Sequence, residues 1–194
     1  MGFIANNLPT LDDVSFGTAS GAKSYVYGLN GVDQYFQLSE SVDFKVGDTL
    51  ELGFIGSVVS GSYRSFVSST DSSLRVSSGG NPQVFDIAST SDAKVNGVTI
   101  INNQTPIPTS GMNYLEFKSF SDYLIRGIGA RVASDGSANL YINLPLYNFK
   151  VIRGGVVIHE IPLTNKAQGA TQLPTIGSVS ATIIGYNEND WEEI

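Results

Sequence analysis

A clear secondary-structure signal lies in the stretch Asp48-Thr49-Leu50-Glu51-Leu52-Gly53-Phe54-Ile55. Leu50, Leu52 and Phe54 alternate there with polar or small residues. Because successive side chains of a strand point to opposite faces of a sheet, this period of two predicts a strand with one buried face. We expect Leu50, Leu52 and Phe54 to face the core and Glu51 to face solvent.

The composition extends this interpretation to the whole chain. Of the 194 residues, 45 are Val, Ile or Thr, which favour strands, and only 25 are Ala or Leu, which favour helices. Gly, Ser, Asn and Thr account for 71 residues, as expected where short strands are joined by tight polar turns. We therefore predict an all-β fold and exclude a helical bundle or a coiled coil.

Two dipeptides predict antiparallel hairpins. Asn96-Gly97 separates two short apolar segments, and Gly154-Gly155 separates 149–152 from 156–158. Both pairs tolerate the two positive φ angles of a type I′ turn, the turn that matches the twist of paired strands.

The charge balance and the lack of apolar runs exclude several classes of function. The chain has 11 Lys plus Arg against 18 Asp plus Glu, a net charge of −7, so its field repels nucleic-acid phosphates. No stretch approaches the roughly 18 apolar residues that a membrane span needs, and residues 1–7 lack the features of a secretory signal. We expect a soluble chain made in the cytoplasm, with no nucleic-acid or membrane partner.

Few residues could support catalysis. Cysteine is absent, which excludes thiol nucleophiles and thiolate metal sites. The single histidine, His159, lies in an alternating segment and is predicted to be a half-buried strand residue. No serine lies in a G-x-S-x-G sequence. The expectation is therefore no enzyme, no catalytic residue and no cofactor.

The acidic residues give no clear hydrolase or metal signal either. A dense group lies near the end of the chain and is interpreted as solvated charge: Glu188, Asp190, Glu192 and Glu193. The segment 135–139 is typical of an ordinary turn and does not have the D-x-D-x-D-G spacing of a calcium loop. No metal site is predicted.

Residues 1–31 differ from the rest of the chain and are interpreted as an N-terminal arm. Their apolar side chains follow no sustained period of 2 or 3.6, and a floppy terminus is the simplest alternative. Because an isolated segment cannot bury such side chains itself, something already folded must cover them, either the body of the arm's own domain or a neighbouring subunit, and we predict that the arm docks on a partner subunit. The candidate docking residues are Phe3, Ile4, Leu8 and Leu11.

The remainder, 32–194, resembles concanavalin-like, laminin-G-like jelly-roll domains of bacteriophage virion structural proteins. The similarity rests on residues 144–163, with a Gly-Gly hairpin and a Pro-Leu exit, and on 181–191, where a last strand closes on Trp191. Residues 34–55 resemble the opening of such domains, with Tyr-Phe-Gln-Leu and Gly-Asp-Thr-Leu-Glu segments. The resemblance implies an antiparallel two-sheet jelly-roll sandwich.

The same resemblance implies a function on the virion. The chain would be displayed on the particle, as a capsid decoration or cement protein or as a tail adhesin, and attached to capsid or tail subunits through its arm. It would be a homo-oligomer in that assembly, synthesised in the host cytoplasm. The alternative is a non-catalytic carbohydrate-binding module for a host-surface glycan, and a weaker third reading is a glycan hydrolase with an unrecognised acid pair.

Three residues near predicted loops are candidates for contact with a glycan or a partner: Tyr63, Arg64 and Tyr123. Exposed rings there could stack on sugars. Cross-strand core packing is the favoured alternative, because each ring falls within or beside a predicted strand. Trp191 is expected to clamp the chain end to the sheet.

The arm hypothesis predicts the result of a truncation. Deleting residues 1–20 should leave a soluble β domain with an unchanged far-UV circular dichroism spectrum, and the protein should no longer attach to the particle. Intact attachment would contradict docking through the arm, whereas loss of the folded domain would show that the arm belongs to the domain's own core.

Overall fold

A computed structural model describes residues 23–59, 64–68, 73–77, 83–87, 90–119 and 121–194. Within these ranges the protein is all-β, as predicted, and its strands pair antiparallel. Helical structure there is limited to two single 3-10 turns, Lys166–Gln168 and Glu188–Asp190. No helix in the described ranges is long and apolar enough to cross a bilayer.

The described strands form two large sheets and one two-stranded sheet. In chain order the strands are β1 (Tyr25–Tyr27), β2 (Tyr35–Phe44), β3 (Thr49–Ile55), β4 (Arg64–Ser68), β5 (Ser73–Ser77), β6 (Val84–Ile87), β7 (Thr90–Val95), β8 (Val98–Thr99), β9 (Met112–Ser119), β10 (Tyr123–Ile128), β11 (Arg131–Val132), β12 (Ala138–Asn139), β13 (Leu146–Arg153), β14 (Val156–Ile161), β15 (Thr171–Gln172), β16 (Ala181–Ile184) and β17 (Trp191–Glu193). Of the two large sheets, the larger has the order β17-β1-β13-β3-β9-β7-β8, with β14 also paired to β13, and the smaller has the order β15-β16-β2-β10-β4-β5-β6. β11 and β12 pair only with each other and form the two-stranded sheet.

Strand β3 has the predicted orientation. Leu50, Leu52 and Phe54 are fully buried, whereas Glu51 is half-buried on the opposite face. β3 lies between β9 and β13 in the larger sheet, so its inward face is covered by the common core.

The two large sheets share one hydrophobic core. Phe44 of β2 lies 5.8 Å, between ring centroids, from Phe117 of β9, and Phe54 of β3 lies 5.3 Å from Phe66 of β4. Each pair joins a strand of one sheet to a strand of the other, in edge-on or tilted geometries that aromatic rings favour. The finer prediction, jelly-roll connectivity, stays a prediction.

Both predicted hairpin turns are confirmed. Asn96 and Gly97 connect β7 to β8 with φ angles of 51° and 78°. Gly154 and Gly155 connect β13 to β14 with φ angles of 57° and 81°. All four residues therefore have the left-handed backbone that a type I′ turn requires.

The first described strand lies within the segment that the sequence analysis assigned to the arm. β1 pairs with β13 on one side and β17 on the other, and Val26 and Tyr27 are fully buried. The sheet-forming part of the chain therefore begins before Val32, because β1 fills a position inside the larger sheet. Residues 1–22, with Phe3, Ile4, Leu8 and Leu11, lie outside the described residues.

Trp191 holds the end of the chain, as predicted. It pairs with Tyr27 in the β1–β17 register, and the two rings meet edge-on with centroids 5.3 Å apart. The Trp191 side chain is buried in the common core.

An ion pair between the buried Asp48 carboxylate and the exposed Arg153 guanidinium links the β2–β3 turn to the end of β13. Asp48 is buried, and its carboxylate accepts hydrogen bonds from Arg153 Nε at 3.0 Å, Arg153 Nη2 at 2.7 Å and the Lys45 amide at 2.8 Å. Burial opposes the charged form of Asp48, but the bonds from Arg153 and Lys45 outweigh it and lower the pKa of the carboxyl.

The burial of Leu52 predicts a large cost for removing its side chain. Leu52→Ala should lower the free energy of unfolding by about 2–5 kcal/mol, because a cavity remains in the closed core. Leu124→Ala is the matched control, since Leu124 is 41% exposed, and it should cost less than about 1 kcal/mol. Urea unfolding of both variants measures the difference, and equal losses would contradict the assigned faces.

The Asp48–Arg153 pair predicts an acid-dependent stability. Since the pKa of Asp48 is lowered in the folded state, its contribution is complete above the ordinary aspartate pKa and is lost as pH falls through the folded value. Asp48→Asn should cost about 2–3 kcal/mol at pH 7, and the gap from wild type should shrink as the pH is lowered below about 4.

A double-mutant cycle with Arg153→Gln separates this pair from unrelated effects. The two substitutions should be non-additive, because either one breaks the same bonds. Additive losses in urea unfolding at pH 7 would contradict the proposed coupling.

Candidate functional site

The outer face of the larger sheet carries an open cleft of about 370 Å³, here called the Tyr114 cleft. Leu115 and Phe117 of β9 point into the core, so Met112 and Tyr114 point outward. At 47% exposure, Tyr114 has the most exposed aromatic ring in the described part of the chain. The lining residues are Lys23, Ser24, Met112, Tyr114, Tyr147, Asn148, Pro162, Thr164 and Ile194.

A glycine on β3 makes room for the rings of this cleft. Gly53 pairs with Tyr114 on one side and with Tyr147 on the other, and a Cβ at this position would overlap the Tyr147 ring. Tyr147 is thereby buried over β3, and it meets Tyr114 edge-on at 5.5 Å between centroids. Burial raises the pKa of the Tyr147 hydroxyl, so that group stays protonated and donates to the Asn113 carbonyl at 3.3 Å.

Two left-handed residues shape the opposite wall. Asn148 has φ of 56° where the β13–β3 register shifts, and Leu163 has φ of 59°. The backbone N–H of Asn148 donates to the Pro162 carbonyl at 2.7 Å and so links the two irregular segments. Leu163 packs into the core, and its neighbours Pro162 and Thr164 line the cleft. Non-glycine residues with positive φ are uncommon and concentrate at functional sites.

A second recess of about 460 Å³ continues the cleft along Lys23, Pro162 and Thr164. Its floor includes Tyr25, and the Lys166 ammonium lies 5.0 Å from the centroid of that ring. Lys23 also forms an exposed ion pair with Glu193 at 2.7 Å. The two recesses therefore combine aromatic surfaces with hydroxyl, amide and ammonium groups.

The two recesses offer ring faces together with hydroxyl and amide groups. Such groups can hold an amphipathic, polyhydroxylated ligand in place.

Of the three residues predicted from the sequence to contact a glycan or a partner, the two that the structure describes, Arg64 and Tyr123, do not line this cleft. Tyr63 lies outside the described residues. Arg64 begins β4 in the smaller sheet and is half-buried. Tyr123 is half-buried and packs on Phe44 at 5.1 Å between centroids, which supports the core-packing alternative for that ring.

His159 is a half-buried strand residue of β14, as predicted. Its Nδ1 is buried without a hydrogen-bond partner among the described residues, and Gly177 lies against it. Burial lowers the pKa of His159, and the nearby Glu40 charge partly opposes this effect. The imidazole is therefore biased towards its neutral form.

The acidic residues near the end of the chain were interpreted from the sequence as solvated charge. This interpretation is correct for three of the four residues and wrong for Asp190. Glu188, Glu192 and Glu193 are exposed. Asp190 is half-buried and accepts hydrogen bonds from Gln34 Nε2 at 2.7 Å and from the Tyr27 hydroxyl at 3.3 Å. It is a structural acceptor because β17 brings it against the buried end of β1.

The turn predicted in segment 135–139 is present at Asp135 and Gly136, between β11 and β12, and Ala138–Asn139 already form β12. The Asp135 carboxylate accepts hydrogen bonds from the Ser137 amide at 2.9 Å and the Ser137 hydroxyl at 2.7 Å. Within the described ranges, no three His, Asp or Glu side chains are grouped as they would be around a metal ion.

No protein-family model, no curated protein and no solved structure matches this chain. The resemblance to concanavalin-like virion domains therefore stays a prediction from the sequence.

Tyr114 was not among the residues predicted from the sequence to form a site, although a signal was present. Burial of Leu115 and Phe117 follows from the same alternation that was used for β3, and it requires Tyr114 and Glu116 to face outward. The bulge at Asn148 had no such signal, because its backbone conformation depends on the shifted pairing of β13 with β3, a strand far away in the sequence.

Proposed function

We propose that this chain is a non-catalytic adhesive domain of a bacteriophage virion, with a jelly-roll sandwich body that recognises a host-surface glycan. The Tyr114 cleft is the observation on which the glycan part of the proposal depends. It places an exposed ring next to hydroxyl and amide groups on a sheet surface, and sugars offer both a C–H face for stacking and hydroxyls for hydrogen bonding.

The geometry of the cleft favours a glycan over a flat protein interface. The Tyr114 ring is supported from the side by Tyr147, so a ligand meets a surface whose orientation is already fixed. A preorganised ring loses little conformational entropy on binding. The neighbouring recess beside Tyr25, of about 460 Å³, adds to the surface that a glycan could contact.

The virion part of the proposal rests on the sequence resemblance. The segments that support it form β2, β3, β13, β14, β16 and β17, which include central strands of both large sheets. In this proposal capsid or tail subunits are the attachment partners, and the tail adhesin is favoured over a cement protein because the cleft is open to a ligand. Mass spectrometry of purified particles tests this part, and consistent absence of the chain would remove it.

Replacing Tyr114 tests the glycan proposal. Tyr114→Ala should weaken glycan binding at least about tenfold, because the stacking surface is lost, whereas Tyr114→Phe should retain most of the affinity. Leu124→Ala, exposed on the other large sheet, is the matched surface control. A screen of bacterial surface polysaccharides supplies the ligand, and calorimetric titration measures the affinities. Wild-type binding by Tyr114→Ala would place recognition elsewhere.

A further inference from the structure

The smaller sheet contains a second irregularity, which surrounds Arg126. In the pairing of β10 with β2, Ile125 is opposite Val42 and Gly127 is opposite Gln37. One residue of β10, Arg126, therefore faces the four residues 38–41 of β2. The extra residues bend away from β10, and Ser39 instead exchanges hydrogen bonds with Ser180.

This bulge opens a cleft of about 210 Å³, here called the Arg126 cleft. One wall is the β2 bulge with Ser39, Glu40 and Ser41, and the other is the β11–β12 hairpin with Ser134. The hairpin is fixed by a small hydrophobic cluster of Tyr35, Ala130 and Val132. The cleft is therefore built from packed elements on both sides.

The guanidinium of Arg126 is incompletely bonded inside this cleft. Its Nη1 donates to the Ser134 carbonyl at 3.2 Å. Its Nε is buried and has no hydrogen-bond partner among the residues that the structure describes. A buried N–H group without an acceptor lowers the stability of the fold. An unbonded buried group of this kind in a folded protein therefore calls for a specific explanation.

We propose that the Arg126 cleft binds a carboxylate group. Because Nη1 is bonded to Ser134, the edge of the guanidinium formed by Nε and Nη2 is the one left to bind a ligand. The two parallel N–H groups on that edge match the two oxygens of a carboxylate. The hydroxyls of Ser39, Ser41 and Ser134 line the same space and can donate further hydrogen bonds.

The charges around the cleft favour a singly charged ligand. Glu40 lines the cleft and accepts a hydrogen bond from the Ser178 hydroxyl at 3.1 Å. One arginine beside one glutamate can accommodate a monoanion better than a phosphate or sulfate dianion. The small volume fits a short carboxylic acid or the acidic end of a longer molecule. This site is on the opposite sheet from the Tyr114 cleft and does not depend on the proposed glycan function.

The test follows the Arg126 Nε–H signal by ¹⁵N NMR of the full chain. Acetate and glucuronate are titrated separately at constant ionic strength, with sodium chloride as the balancing salt. We expect a saturable shift of this signal with both acids. Equal affinities would identify the carboxylate alone as the ligand group, and tighter glucuronate binding would identify a sugar acid.

Three variants complete the experiment. Arg126→Lys keeps the charge and removes the forked edge, so it should weaken binding at least tenfold. Glu40→Gln removes the repulsion and should tighten binding about threefold. Arg131→Gln removes one positive charge from an exposed site on the neighbouring hairpin and should leave the affinity unchanged.

Several results would overturn the proposal. One is the absence of a saturable Arg126 shift in wild type, which would mean that no carboxylate reaches Nε. A second is a loss of acetate affinity in Arg131→Gln as large as that in Arg126→Lys. A third is tighter binding of sulfate or phosphate than of acetate. If Arg126→Lys does not fold, the wild-type titration and the Glu40→Gln variant decide the question.

Discussion

The alternation of side chains along β3 constrains both faces of the larger sheet. With Leu50, Leu52 and Phe54 directed into the core, Gly53 must face outward, between Tyr114 and Tyr147. A shift of one residue would expose the leucines and bury Glu51, and the fold would lose the free energy of burying several apolar side chains. The register that closes the core therefore also creates the surface on which the two tyrosines meet.

Departures from regular pairing, by contrast, shape the two clefts. Asn148 shifts the pairing of β13, and residues 38–41 bulge from β2 opposite Arg126. Each irregularity is tied to a second segment, Pro162 in one case and Ser180 in the other. Bulges bend a strand and redirect its side chains, so they can provide concave, polar surfaces on a sheet.

The sequence was sufficient for the features that depend on local patterns. The faces of β3, the two Gly-containing hairpins and the half-buried position of His159 follow from period-two alternation and turn chemistry. The role of Asp190 and the pairing of Asp48 with Arg153 could not be predicted in this way, because each joins residues more than 100 positions apart. Strand β1 was missed for a similar reason, since three residues give too short a pattern and its partners lie near the other end of the chain.

The position of β1 also bears on how the protein reaches its folded state. Both neighbours of β1 come late in the chain: it bonds to β13 at Leu146 and to β17 at Trp191, Glu192 and Glu193. These contacts close loops of well over 100 residues, which is entropically expensive and slows folding. During synthesis Tyr27 therefore has to remain unpaired while most of the chain is made. The ring of Tyr27 is left without its native strand neighbours for that whole interval, in the period when nascent chains are most prone to associate.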